Sequence, residues 1–389
     1  MTTRTGLDRL AADGFAPLAG RRVGLLVHPA SVDGQLRHAV DLCTSAGVDL
    51  RALFGPQHGI LGQTQDNMIE WEGFTDARLG CPVYSLYGEH RQPTPAMLTG
   101  LDVLVVDLQD VGARYYTFIW TLLLCLEACA AADVAVMVLD RPNPLGGEVR
   151  EGPILGMEYR SFVGLAPIPM RHGLTIGELA GWFVRQRGLD VELEVVWCEG
   201  WRRAQFFDAT GLPWVLPSPN MPTLETAVVY PGGCLLEGTR LSEGRGTTRP
   251  FEIFGAPYVD GRLLAARLAE LDLPGCVLRP LSFEPTFHKF AGQVCGGVQV
   301  HVTDRAAFRS VTLYTAALSL IHAQWGEAFA WKEPPYEYET VKRPIDILAG
   351  GEAWRGDVEA GRDAREMAAG WQADLGSFRD GTEDFRHHA

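Results

Sequence analysis

Three segments of this chain that have the composition of buried strands each end in a cluster of polar side chains. The segments cover residues 48–54, 103–106 and 134–138, and they lead into the sequences FGPQHG (54–59), DLQDVGARYY (107–116) and LDRPNP (139–144). Ligands of open parallel α/β sheets bind at the carboxyl ends of the strands, so the pattern predicts that these clusters meet in one crevice. The alternative is that they only form turns, which Asp, Asn, Gly and Pro favour. Gln, His, Arg and Tyr are not turn residues, and their presence favours a ligand site.

Strand-like and helix-like segments alternate through the first half of the chain. The periodicity predicts strands over 23–27, 48–54, 82–86, 102–107, 133–139 and 191–197, and helices over 35–46, 116–131 and 174–186. Thr175 is the predicted N-cap of the last helix, with Glu178 as its capping-box partner. This alternation indicates an α/β fold with a parallel sheet and right-handed crossovers.

The alternation breaks over residues 216–246, where Pro, Gly and charged residues predict neither a helix nor a strand of normal length. Further on, the pattern predicts helices over 261–270 and 305–325, strands over 276–283 and 297–302, and short helices broken by Gly over 344–385. A chain of 389 residues is too long for one ordinary core. We therefore expect two domains, residues 1–227 and residues 228–389.

Composition excludes several classes of partner. The formal net charge of −14 argues against nucleic acid and against an anionic membrane surface, since both require a basic patch. Neither a signal peptide nor a membrane span is evident, so we expect a cytoplasmic protein. The eight cysteines are scattered and include no CxxC pair, which predicts free buried thiols. No metal or cofactor is predicted, because the His residues do not pair at ligand spacing and no phosphate-loop, dinucleotide or Gly-x-Ser-x-Gly motif is present.

The long polar segment over residues 55–72 is the first candidate for a substrate-binding loop, since loops of this length in compact domains are usually functional. It carries Gln57, His58, Asp66 and Glu70, and amides mixed with carboxylates suit a polyhydroxylated ligand that needs both donors and acceptors. Trp71 offers an apolar platform for a sugar ring, although core packing is the alternative.

Two later segments also favour a site. Pro residues stiffen the segment 217–226, and Gly residues in the segment 236–248 let the backbone approach a ligand. The predicted substrate-binding residues are Gln57, Asp66, Asp107, Gln109, Arg114, Tyr116, Asn143, His172, Asn220, Glu225, Glu243 and Arg245.

These segments together resemble one family. The motifs LFGPQHGILG (53–62), DLQDVGARYYTFIWTL (107–122), DRPNPLGG (140–147), PMRHGLTIGE (169–178) and EGTRLSEGRGTTRPFEIFGAP (237–257) are similar to those of the exo-β-N-acetylmuramidases of the NamZ type, formerly domain of unknown function 1343. The resemblance implies a Rossmann-like N-terminal catalytic domain, a smaller α+β C-terminal domain and a site in the cleft between them. It also implies removal of N-acetylmuramic acid from the non-reducing end of peptidoglycan fragments without a cofactor.

One position departs from the family pattern. The family motif usually reads Pro-Glu-His-Gly, with its Glu as the favoured catalytic carboxylate, and this chain has Gln57 there. An amide cannot act as a general acid or base. Glu70 is the predicted replacement, desolvated by Trp71 and assisted by His58, and Asp110 completes the predicted catalytic set.

Further carboxylates and two arginines are also candidates for the site. Asp66, Asp107 and Glu243 are the other candidates for the missing acid. Arg245 is predicted to bind a substrate carboxylate, and Arg114 either does the same or orders its own loop. A glycosidase is the leading interpretation of the sequence. A catalytically impaired sugar-binding protein and another hydrolase or lyase of carbohydrate acids remain as alternatives.

Overall fold

A seven-stranded sheet forms the centre of the N-terminal half. The structure is a computed structural model that describes residues 2–65 and 68–389. The strands are β1 (Arg22–Val27), β2 (Asp49–Gly55), β3 (Phe74–Thr75), β4 (Pro82–Ser85), β5 (Val103–Asp107), β6 (Ala135–Leu139), β7 (Glu151–Ile154), β8 (Pro169–Arg171), β9 (Leu193–Val196), β10 (Ile253–Ala256), β11 (Cys276–Phe283) and β12 (Cys295–Val302). The order in the central sheet is β3-β4-β2-β1-β5-β6-β9, and every pair is parallel except β3 with β4.

Helices cover both faces of this sheet and continue into the C-terminal half. They are α1 (Gly6–Ala12), α2 (Ala39–Ser45), α3 (Pro95–Leu98), α4 (Phe118–Ala132), α5 (Ile176–Arg187), α6 (Leu224–Gly233), α7 (Gly261–Ala269), α8 (Ser310–Trp325), α9 (Pro344–Ala349), α10 (Glu352–Glu359), α11 (Ala364–Gly370) and α12 (Gln372–Thr382). Two separate groups of buried apolar side chains, one on each face, enclose the sheet. Strands such as β5, which is buried throughout, are therefore apolar on both faces, as a covered parallel sheet requires.

The predicted N-terminal elements are present with ends shifted by a few residues. The predicted capping box of α5 is confirmed, since Thr175 accepts from the backbone of Glu178 and Glu178 accepts from the backbone of Thr175. The strand order reverses between β1 and β5, and this is the position at which ligands of open α/β sheets bind.

The prediction that residues 216–246 hold no helix of normal length is wrong. Helix α6 spans ten of them, with Thr223 as its N-cap, although it contains Pro231 and two glycines. Tertiary packing overrides local propensity here, because α6 lies against α8 and a Cβ atom on Gly232 would come within 2.2 Å of the Ser310 carbonyl oxygen. Only glycine permits this close approach of the two helices.

The C-terminal half is an α+β unit whose antiparallel sheet has the order β10-β12-β11. The fold class predicted from the sequence is confirmed. One group of buried apolar side chains runs from the N-terminal sheet into α6, α8 and β12, so the two halves share a continuous core. The division at residue 227 remains a prediction. Within the described residues the eight cysteines are free and mostly buried, and no helix has the length and apolar character needed to cross a membrane.

Candidate active site

A narrow cleft opens where the polar loops of the N-terminal half face the C-terminal half. Its lining residues come from both halves: Gln57, His58, Tyr115, Tyr116, Thr117, Val163, Ser218, Asn220, Met221, Tyr230, Glu237, Arg245, Phe251, Tyr336 and Glu337. We call this space the inner cavity. Its free volume is about 40 Å³, so a sugar ring needs a wider cavity than this one.

Glu337 occupies the position beside Gln57. Its carboxylate accepts hydrogen bonds from Gln57 Nε2 at 3.2 Å and from the Tyr87 hydroxyl at 2.8 Å, and the residue is only 4% exposed. Burial raises the pKa of Glu337 to about 7, with the neighbouring Glu237 acting in the same direction and the two hydrogen bonds acting against it. A carboxyl group with this pKa carries a proton in a large fraction of molecules at neutral pH.

The backbone around Glu337 is in an uncommon conformation. Glu337 and Tyr338 have φ values of 44° and 68°, in the left-handed region that non-glycine residues rarely adopt. His58 on the facing wall has a φ of 69°. Conformations of this kind persist only where surrounding contacts hold them, and they are concentrated at functional sites.

Gln57 links the two walls. Thr117 Oγ donates to the Gln57 carbonyl oxygen at 2.8 Å, which leaves the amide nitrogen to donate to Glu337. This pair of contacts fixes the amide orientation, since Thr117 supplies a donor and Glu337 supplies an acceptor. Gln57 therefore positions the Glu337 carboxyl rather than titrating itself.

A second buried glutamate is held in the same cavity by a charged network. Arg245 Nη2 lies 2.7 Å from Glu237 Oε1, and the Tyr336 hydroxyl donates to Glu237 Oε2 at 2.7 Å. Arg245 Nε lies 3.3 Å from Glu243, which in turn contacts His288 and Lys289 at 3.0 and 2.9 Å. Although burial opposes ionisation, Lys289, His288 and Arg245 hold the pKa of Glu243 well below its usual range. Glu237 is thus the cavity-facing end of an ion-pair network.

Arg245 has donors left for a ligand. Its Nη1 is buried and has no hydrogen-bond partner within the described residues. Glu237 and Glu243 hold the rest of the guanidinium in place. A buried donor without a partner costs free energy, so this atom is placed to bind an acceptor on a ligand.

His58 lies in the wall as a neutral base. Burial lowers its pKa to about 4, and the nearby Arg245 contributes in the same direction. Nδ1 lies 3.0 Å from the Thr64 carbonyl oxygen, so the hydrogen of the neutral ring resides on Nδ1 and Nε2 is left as an acceptor.

The predicted site residues divide into two groups. Gln57, His58, Tyr116, Asn220 and Arg245 line the inner cavity together. Glu243 lies directly behind Arg245. Asp66 lies outside the described residues.

The prediction that the strand-end clusters form the crevice is wrong for most of their side chains, because they bond to each other. Asp107 forms a fully buried two-point ion pair with Arg141, with Nε–Oδ1 and Nη2–Oδ2 distances of 2.6 and 2.8 Å. His172 Nε2 lies 3.1 Å from Asp110. Gln109 donates to the Pro142 carbonyl oxygen at 3.1 Å. These side chains therefore have partners within the protein at the switch between β1 and β5.

Three further predicted residues also serve the fold. Asn143 bonds the backbone of Leu145 and Leu174. Arg114 is fully buried and donates to backbone carbonyl oxygens, including that of Leu348 in α9, so it ties the two halves together instead of binding substrate or pairing with Asp107 or Asp110. Glu225 is exposed at the start of α6 and pairs with Arg305 at 3.0 Å.

The prediction that Trp71 desolvates Glu70 is also wrong. Glu70 is exposed and does not line the inner cavity, so Trp71 does not desolvate it. The Trp71 ring instead packs against Gly55 and Gly59 and donates to the Pro56 carbonyl oxygen.

Sequence reasoning missed Glu237 and Glu337, the two cavity-facing glutamates. Glu337 follows Pro334-Pro335-Tyr336, a segment that Pro stiffens in the same way as residues 217–222. Glu237 begins the motif that contains Glu243 and Arg245. Both patterns are visible in the sequence, but neither of the two segments follows a strand of the parallel sheet.

One group of side chains in the described part of the chain has donors close enough to hold a metal ion. Asp140, Cys198 and His388 bring one donor atom each within 4.8 Å, and all three are buried. His388 Nε2 lies 2.9 Å from Asp140 and 3.4 Å from Cys198 Sγ, so these atoms already contact one another. None of the three lines the inner cavity.

A cleft between an α/β sheet unit and a smaller α+β unit, lined by two buried glutamates with amides and an arginine, is typical of a carbohydrate-active enzyme. The chain belongs to the NamZ family of exo-β-N-acetylmuramidases. The N-terminal family model matches residues 23–225 and the C-terminal model matches residues 228–387.

Individual relatives agree with this assignment. The chain is 45% identical over 376 residues to the peptidoglycan β-N-acetylmuramidase NamZ of Bacillus subtilis (strain 168), covering 96% of this chain and 89% of the relative. Two solved DUF1343 family structures from Bacteroides fragilis NCTC 9343 superimpose over the whole chain and 99% of each of theirs. Their TM-scores are 0.89 and 0.77, at 34% and 26% identity. The predicted family membership is confirmed.

Proposed function

We propose that this protein is an exo-acting β-N-acetylmuramidase that releases N-acetylmuramic acid from the non-reducing end of peptidoglycan fragments. The observation that carries the proposal is the pair Glu337 and Glu237 in one cavity, one with a raised pKa and the other held by Arg245. Glycoside hydrolysis usually uses two carboxyl groups, one as the acid and the other as a carboxylate. The comparisons favour this function over an impaired sugar-binding protein.

Glu337 is the general acid in this proposal. Its protonated carboxyl donates a proton to the glycosidic oxygen as the bond to the anomeric carbon breaks. The Glu237 carboxylate stabilises the positive charge that develops on the sugar ring. Water then adds to the anomeric carbon as the hydroxyl group of the released sugar, and the proton that it loses restores the protonated Glu337. Gln57 and Tyr87 hold Glu337 in place. The carboxyl that the family motif would carry at position 57 is thereby replaced by one on the opposite wall.

The inner cavity also has polar groups suited to an amino sugar. Asn220 and Ser218 line it beside His58, whose Nε2 can accept a hydrogen bond from a sugar hydroxyl or acetamido group. Arg245 Nη1 is assigned to the lactyl carboxylate of muramic acid, a group that distinguishes it from N-acetylglucosamine. A location in the cytoplasm stays a prediction, and it would make imported wall fragments the substrate.

The test compares two nitrophenyl β-glycosides, of N-acetylmuramic acid and of N-acetylglucosamine, with the purified wild-type protein. We expect hydrolysis of the muramic acid glycoside and little or none of the glucosamine glycoside. Release of single sugars from the non-reducing end of a wall oligosaccharide, followed by mass spectrometry, checks the exo action. Binding of the muramic acid glycoside without any hydrolysis would instead support the sugar-binding alternative.

A further inference from the structure

A second, larger cavity lies outside the inner one and is open to solvent. Its volume is about 590 Å³, enough for a sugar residue. It is lined by Glu89, His90, Arg91, Gln92, Pro93, Thr94, Pro95, Leu124, Arg160, Ser161, Phe162, Leu165, Glu337, Tyr338 and Glu339. We call this space the outer cavity. Of the residues that line it, the catalytic proposal above uses only Glu337.

Glu337 lines both cavities. The general acid of a glycosidase protonates the oxygen that joins the departing sugar to the sugar being released, so it stands between the two sugars. Glu237 and Arg245 line only the inner cavity, which assigns the released sugar to that side. The outer cavity is then on the side of the leaving group.

The walls of the outer cavity have the composition of a sugar site. Tyr338 is 38% exposed, and it packs edge-to-face against Phe162 with 5.9 Å between ring centroids. The Arg91 guanidinium lies 4.1 Å from the centre of the Tyr338 ring and donates to the Gly88 carbonyl oxygen, which orders it. Arg160 is exposed in the lining of the outer cavity and forms no ion pair with the described residues. Ordered rings with donors at their edges are typical of carbohydrate recognition.

We propose that the outer cavity binds the leaving-group sugar of the substrate, an amino sugar glycosidically linked to the released muramic acid unit, with Arg160 and Arg91 as hydrogen-bond donors to it. This inference rests on the proposed function. A narrow inner cavity that widens to take the released sugar, with an open outer cavity for the remainder, also accounts for action at a chain end.

The test compares wild type, Arg160→Ala and the double variant Arg91→Ala/Arg160→Ala on two substrates. One is nitrophenyl β-N-acetylmuramide, whose leaving group has no sugar hydroxyls. The other is the disaccharide of N-acetylmuramic acid linked to N-acetylglucosamine. We expect kcat/KM for the disaccharide to fall about five- to tenfold in the single variant, the loss of about one hydrogen bond, and further in the double variant. Values for the nitrophenyl substrate should stay within about twofold of wild type.

A matched control is Arg262→Ala, which removes an exposed arginine on α7 that lines neither cavity. It should leave both substrates unaffected. Equal losses on both substrates, or no loss on the disaccharide in the double variant, would overturn the leaving-group site while leaving the muramidase function intact. A wild type that cleaves neither substrate would reject the proposed function and, with it, this inference.

Discussion

Two buried charged clusters in this molecule contain the same types of residue and do different work. At the carboxyl edge of the central sheet, Asp107 and Arg141 satisfy each other through two contacts, and Arg141 also donates to the Val32 carbonyl oxygen. In the inner cavity, Glu237 and Glu243 hold Arg245 but leave its Nη1 without a partner. A fully satisfied buried cluster stabilises one arrangement of the chain. A cluster with a buried donor left over is prepared for a ligand.

The first and largest expected effect is on catalysis. Glu337→Gln should lower kcat on nitrophenyl β-N-acetylmuramide by about a hundred- to ten-thousand-fold, the usual contribution of a general acid, with a smaller change in KM. The matched control is Glu70→Gln, which changes an exposed carboxyl in the same way and should stay within about twofold of wild type. Loss of activity in the Glu70 variant and not in the Glu337 variant would restore Glu70 as the acid.

The second prediction concerns the cluster at the sheet edge, where the effect should be on stability. Arg141→Ala leaves the Asp107 carboxylate buried without its partner and should lower the free energy of unfolding by about 3–5 kcal/mol. Urea unfolding measures this change. The kcat of the protein that remains folded should stay close to wild type. A large loss of kcat at full stability would show that the sheet edge belongs to the site.

The pH dependence should distinguish the two clusters. Because the pKa of Glu337 is raised to about 7, kcat/KM should fall above about pH 7 as the acid loses its proton. The raised pKa also means that the folded state binds this proton more tightly than the unfolded state. The resulting stabilisation is complete below about pH 4.5 and is lost as the pH rises through 7, by about 3 kcal/mol in total. The free energy of unfolding is measured for wild type and Glu337→Gln at several pH values. The difference between the two proteins should change by this amount between about pH 4.5 and a pH above 7, and a difference that is the same at every pH would contradict the assignment.

Carboxylate recognition by Arg245 should give a smaller effect. Arg245→Lys keeps a charge near Glu237 and Glu243 but removes the planar pair of donors. The ratio of kcat/KM or of binding constants for N-acetylmuramic acid glycosides over their analogues without the lactyl carboxylate should fall about tenfold or more. An equal loss for both ligand types would mean that Arg245 acts only by holding Glu237.

The smallest expected effect is a shift in the pH profile of Gln57→Glu. A carboxyl at position 57 would face Glu337 across the 3.2 Å contact that the amide now makes. The two carboxyl groups would share a proton, and the alkaline limb of the activity profile should move upward by about one pH unit. An inert wild type together with an active Gln57→Glu variant would show that Glu337 does not replace the family acid.

The sequence alone determined the α/β class, most of the elements and the family. Apolar strand segments, the Thr175–Glu178 capping box and the strand over 276–283 are local patterns, and each formed as the residues predict. Only some residues of the inner cavity could be predicted from the sequence. Gln57, Asn220 and Arg245 stood out because polar or charged side chains occur in stiff or Gly-rich loops.

The tertiary structure decided which polar clusters are internal and which face a ligand. Asp107, Asp110 and Arg114 find their partners 34, 62 and 234 positions away in the chain, and no local pattern reveals that such a partner exists. Glu337 contacts Gln57, which is 280 positions away in the chain, and burial at this contact raises the pKa of Glu337 into the range of a general acid. Whether a buried polar group is satisfied depends on the atoms packed around it, and only the folded chain brings those atoms together.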